Sequence, residues 1–133
     1  MRRIGLYGDV HANLPALEAV YADMGAALIT ERYCTDDLIG YGPHPAEVVA
    51  CVRASGDRVV QGNYDRAVGA HLRDAGSGCS TPQEMLDCAE SYAYTIAALA
   101  PHDERYLSAL ARGIVLEIDR ARVLLCHGSP RRV

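Results

Sequence analysis

Residues 3–8 form an apolar run that reads as a first, buried strand. Leu14, Leu17, Val20, Tyr21 and Met24 then recur at helical spacing. Asn13 is placed to cap that helix, Pro15 fits its first turn, and Gly25 is a stop. Residues 31–35 predict a short second strand. The stretch 36–43 carries two glycines and a proline and cannot extend it. Pro45–Ser55 predicts a second helix with Val48, Val49 and Val52 inward, and residues 58–61 a third strand. A β-α-β-α-β order implies a largely parallel sheet with right-handed crossovers.

Past the third strand the punctuation changes. A short helix is expected over 65–72, then a Gly-rich, flexible loop over 74–80. Thr81-Pro82-Gln83-Glu84 is a capping box with proline at the first helical position, opening a helix that can reach Leu99. Another helix fits residues 103–111, between Pro101 and Gly113. Ile96, Leu99, Leu107 and Leu110 are expected in the core. Residues 114–118 and 122–126 alternate around Asp119-Arg120-Ala121 and read as a β-hairpin, which would make the sheet mixed. The class expected is therefore α/β, with mixed β-sheets flanked by helices, in one domain over residues 1–133. No repeat or low-complexity segment interrupts it.

Composition excludes several roles. A net charge of −4 leaves no basic footprint for nucleic acid. All thirteen basic residues are Arg, and Phe and Trp are absent, which reads as compositional bias rather than function. No apolar run is long enough to span a membrane, and the N-terminus lacks a signal-peptide core, so a cytoplasmic location is expected. The five cysteines are odd in number and form no C-x-x-C. They are expected to be free, mostly buried thiols.

Candidate chemistry collects where strands end. Asp9 and His11 follow the first strand, Asp36 and Asp37 the second, Asn63, Tyr64 and Asp65 the third, and His127 the last. An extended D-x-H segment would point Asp9 and His11 the same way. Open α/β sheets place ligands at such edges. Carboxylate, imidazole and amide oxygen together suit two divalent transition-metal ions, Mn, Fe or Zn, rather than a thiolate site. A carboxylate shared between two ions makes a clamp for phosphoryl chemistry, and Asp37, in the middle of the set, is the natural bridge.

Four stretches in order, Asp9-Val10-His11, Asp37-Leu38-Ile39-Gly40, Gly62-Asn63-Tyr64-Asp65 and His127-Gly128-Ser129-Pro130, resemble the motifs of the calcineurin-like metallophosphoesterases. The longer run to Pro43 is similar to a bacterial branch of small, stand-alone phosphoesterases. The resemblance implies a four-layer α/β/β/α sandwich and hydrolysis of phosphodiesters or phosphomonoesters by a metal-bound hydroxide. It implies that Asp9 and His11 bind the first metal, that Asp37 bridges, and that Asn63 and His127 bind the second. Asn63 would also contact substrate, a small or nucleotide-like phosphoester.

Three departures qualify this. Asp36 stands where the family has Gly, and would crowd the loop or add negative charge. Tyr64 stands where the family has its acid His. A phenol is the poorer acid near neutral pH, so the expected role is a hydrogen bond to a phosphoryl oxygen and a preference for activated or diester substrates. The family's later G-H-x-H segment is missing, so the second sheet is expected to be incomplete. The chain is expected to be part of a longer protein, or to have a partner chain covering the gap. A homo-oligomer is left open. The rival function is a degenerate domain that binds metal or partners without turnover. A flavodoxin-like signalling domain explains neither Asn63 nor His127. Tyr64 could equally be packing, and His44, His71 and His102 are expected on the surface.

Overall fold

The computed structural model describes residues 2–130. Three short strands, β1 (Gly5–Tyr7), β2 (Arg32–Cys34) and β3 (Arg58–Val59), pair in that order, all parallel. Tyr7 registers with Cys34 and Cys34 with Val59. Each strand is shorter than its apolar run because the flanking residues leave the ladder to build loops.

Helix α1 (Leu14–Ala26) connects β1 to β2, and the Asn13 side chain accepts a hydrogen bond from Ala16 N at 3.1 Å. Gly25 lies inside this helix rather than ending it. Helix α2 (Pro45–Ser55) has the expected bounds, and Val48, Val49 and Val52 are fully buried. Each such burial contributes about 1.5–3 kcal/mol. Helix α3 is Asn63–Gly69, starting two residues before the expected position. Asn63 and Tyr64 therefore sit in its first turn rather than in a loop. Helix α4 (Pro82–Ala98) opens on the predicted capping box, Thr81 accepting from Glu84 N and Glu84 from Thr81 N. Helix α5 is Pro101–Ser108.

Strands β4 (Gly113–Ile118) and β5 (Ala121–Cys126) form the expected hairpin around Asp119 and Arg120. It does not join the parallel sheet but makes a two-stranded antiparallel sheet of its own; an isolated bridge, Val60 to Ala111, pairs the residue after β3 with the segment before the hairpin. The reason is alternation. Tyr33 and Val60 turn to one side and meet Ile114, Leu116 and Leu125 of the hairpin, while Cys34 and Val59 turn to the helices. The observed layers are helices, parallel sheet and hairpin sheet. The larger core joins α1, α2, α3, α4 and α5 around Leu17, Val49, Tyr64, Tyr92 and Leu107.

Two other expectations are corrected. Cys79 and Cys88 form a disulfide, tying loop 74–80 to α4, while Cys34, Cys51 and Cys126 are free. An odd count without a C-x-x-C gives no pairing to read, whereas the first turns of α4 bring Cys88 back against the loop. Ile96 is 40 % exposed, since α4 turns Tyr92 and Thr95 inward and leaves Ile96 beside an open cavity. No helix among the described residues is long and apolar enough to cross a membrane.

Candidate functional site

The loop after β1 is not extended. Asp9, His11 and Ala12 have φ of 48°, 44° and 56°, in the left-handed region that costs non-glycine residues of order 1 kcal/mol or more each. Hydrogen bonds hold it there. Val10 N and His11 N donate to Asp37 O at 2.9 and 3.2 Å, Ala12 N to Leu38 O at 2.8 Å, and His44 N to Ala12 O at 3.1 Å. Gly42 N donates to His11 O at 3.0 Å, and a Cβ on Gly42 would collide with the backbone of His11 and Ala12. The 9–12 loop is thus laced onto both ends of the 37–44 loop. Asp9 and His11 still meet, but through curled backbone: His11 Nε2 lies 3.5 Å from Asp9 Oδ1.

The two candidate imidazoles are held alike. His11 Nδ1 is 3.0 Å from the Ile39 carbonyl oxygen, which can only accept, so Nδ1 carries a proton and Nε2 faces Asp9. His127 Nδ1 is 2.6 Å from Asp36 Oδ1, and its Nε2 faces Asn63 Oδ1 at 2.9 Å. Asn63 is oriented by its own amide, Nδ2 donating to Ala75 O at 2.8 Å, so the oxygen is the atom turned to His127. With Nδ1 donating to a carboxylate, a neutral His127 presents a lone pair to an oxygen lone pair. Either a second proton or a cation reconciles those two atoms. Tying Nδ1 to an oxygen and so fixing the direction of Nε2 is the usual outer support of a metal-ligating histidine.

Asp37 is 2 % exposed, and Tyr64 N donates to its Oδ1 at 2.8 Å. Burial pushes its carboxyl up, against the opposing pull of His127, the Tyr64 N–H and His11. A Cβ at Gly62 would collide with this carboxylate, so only glycine fits beside it. Asp9, by contrast, has a side chain 70 % exposed. Among the described residues no three His, Cys, Asp or Glu side chains are grouped to hold one ion. The arrangement is two oxygen–imidazole pairs, Asp9 with His11 and Asn63 with His127, and the buried Asp37 carboxylate held by Tyr64 N. Its donor chemistry fits divalent transition ions.

Tyr64 is 1 % exposed. Its ring covers Gly40, where a Cβ would collide with it and where φ is 93°, and it stands 5.8 Å from His11, 4.9 Å from Tyr41 and 6.2 Å from Tyr92. Its hydroxyl accepts from Ser77 at 3.0 Å. Burial, reinforced by Tyr41 and outweighing the Ser77 hydrogen bond, pushes the phenol up to about 12.

Sequence reasoning assigned no role to Asp65. It is fully buried, accepts from Leu38 N at 3.1 Å and Gly62 N at 3.2 Å, and so ties the loops after β2 and β3 together. Burial, then the Asp37 charge, pushes its carboxyl up to about 8. An acidic residue three positions after a helix-opening Gly was the available signal. Asp36 was read as a crowding residue; its contact with His127 spans 91 positions and has no local signature. His44, His71 and His102 sit near the surface beside Glu47, Glu104 and Asp103, as expected.

No family model matches the chain. The uncharacterized protein MJ0912 of Methanocaldococcus jannaschii is 28 % identical over 133 residues, which is 96 % of this chain and 50 % of that protein. The hypothetical protein PH1004 from Pyrococcus horikoshii OT3 shares the fold, with a TM-score of 0.81 at 21 % identity over 97 % of this chain and 56 % of that one. The chain thus spans about half the length of the relatives it matches. The crystal structure of a metallophosphoesterase from Sphaerobacter thermophilus superposes on 84 % of this chain and 42 % of its own, with a TM-score of 0.62 at 30 % identity. In fold and in part of its sequence, the chain is similar to a metallophosphoesterase.

Proposed function

We propose that the chain carries the metal-ligating half of a phosphoesterase that hydrolyses phosphodiester or phosphomonoester bonds. Asp9, His11, Asp37, Asn63 and His127 would hold two divalent ions of the Mn, Fe or Zn kind. The observation that carries the reading is the matched pair of imidazoles. Each has Nδ1 tied to an oxygen and Nε2 turned toward a second oxygen, on chain segments far apart in sequence. The likeness to the Sphaerobacter metallophosphoesterase supports it. Ions bound there would lower the pKa of water and offset phosphoryl charge.

The chain's own residues do the rest. Asp36 fixes the ring of His127, and Ala75 fixes the amide of Asn63. The Tyr64 phenol keeps its proton at neutral pH, so it serves as a hydrogen-bond donor to a phosphoryl oxygen rather than as the acid for a leaving group. Good leaving groups, as in aryl diesters, suit such a site best.

Asp37→Asn keeps the Oδ1 acceptor for Tyr64 N and removes the charge. Losing several kcal/mol of electrostatic stabilisation should cut hydrolysis of bis(4-nitrophenyl) phosphate by at least about 100-fold, and metal per chain should fall with it. A fully active variant would remove Asp37 from the site. Binding of metal or a partner without turnover is the second reading. It is favoured by the lack of three grouped acidic, His or Cys side chains among the described residues, and by Tyr64 in the acid's place. Tyr64→His separates the two. A large gain in rate marks a weakened enzyme; no hydrolysis in either form, with metal still bound, marks a binding domain.

A further inference from the structure

A cavity of about 600 Å³ opens between loop 74–80 and α4. Its volume is in the range of small-molecule sites. The largely buried rings of Tyr64 and Tyr92 form its floor, Met85, Leu72 and Ile96 its apolar walls, and the Cys79–Cys88 disulfide an edge. Two of its lining residues also belong to the candidate metal site. Tyr64 donates its backbone N–H to Asp37, and Ala75 accepts from the amide of Asn63. The cavity therefore shares two residues with the supports of Asp37 and Asn63. Tyr41, 54 % exposed, borders both the groove of Asp9 and His11 and a second groove that shares Ser77, Cys79 and Cys88 with the cavity.

We propose that this cavity binds the planar aromatic group of a phosphoester, an aryl or nucleobase ring, while its phosphorus lies at the Asp37–Asn63–His127 edge; this rests on the phosphoesterase reading above. The lining selects the occupant. Tyr64 and Tyr92 face each other edge to face at 6.2 Å, an arrangement that a third ring extends. The thioether of Met85 favours an aromatic neighbour over a chain. The hydrogen-bonded Ser77 and Tyr64 hydroxyls, with Arg73 and Asp74, are its polar lining.

Indole and three phosphonates test it by calorimetry on the purified chain. Indole, which has no phosphorus, reports on the cavity alone. Phenylphosphonate against methylphosphonate, with manganese present, reports on the link to the site. Indole should bind, and phenylphosphonate should bind about tenfold or more tighter than methylphosphonate, from the area one ring buries. Ala89→Phe and Ala93→Phe each place a ring in the cavity from α4. They should abolish indole binding and the phenyl advantage, and leave methylphosphonate unchanged. No indole binding to the wild type, or an equal affinity for both phosphonates, would overturn the proposal. So would hexylphosphonate binding as tightly as phenylphosphonate. If indole binds and neither phosphonate does, the failure lies in the phosphoesterase reading rather than in the cavity.

Discussion

Asp36 stands where the motif that the chain resembles has glycine, and its carboxylate is what orients His127. Losing such a partner typically weakens metal affinity by about 10–100-fold. Asp36→Ala should show that loss in a manganese titration, and Asp36→Asn, which keeps an acceptor, should recover much of it. Equal affinity in all three proteins would make the contact incidental. At this scale the sequence was legible where a residue acts within its own loop and silent where it acts across the fold. Asp9 and His11 meet as the D-x-H spacing suggested, but through left-handed backbone that a two-residue spacing does not reveal. The roles of Asp36 and Asp65 depend on which loops the sheet brings together, and those contacts span 91 and 27 positions.

Elements were readable where proline, glycine and apolar spacing agreed. Helix α2 has all three and matches residue for residue; α3 lacks a side-chain cap and begins earlier than its apolar residues indicate. The corner between α2 and β3 carries an unpredicted network. Asp57 accepts from Tyr7 Oη at 2.7 Å and from Arg32 Nε at 2.8 Å, so that one carboxylate ties β1 and β2 to the end of α2. Burial pulls this carboxyl up, but the hydrogen bonds of Tyr7, Arg32, Tyr21 and Ser55 outweigh it and hold it below its ordinary value. A depressed pKa adds stability that is complete above the unfolded value of about 3.9 and is lost as pH falls through the lower folded one. Asp57→Asn should therefore lower stability at pH 7 by about 1–3 kcal/mol, and the gap to wild type should narrow toward pH 3. Urea midpoints at the two pH values measure this; a constant gap would assign the effect to packing alone.

For the whole molecule, the β-α-β-α-β order and the final hairpin were both expected, and the separation of the hairpin into its own sheet was not. Strand alternation settles which side chains face which core, but the sequence does not say that two cores exist. Val115 and Leu124, opposite each other on the hairpin, remain about half exposed at 49 % and 47 % on the side away from Tyr33 and Val60. The relatives are about twice as long, so comparisons of stability or activity belong with proteins of matched extent.

The link between Cys79 and Cys88 also encircles Met85. Cyanogen bromide cuts after methionine, so the backbone break at that position falls inside a covalent ring. The pieces 25–85 and 86–133 should travel as one mass under non-reducing conditions and separate only after dithiothreitol. Two masses before reduction would show that the ring is open in the purified protein.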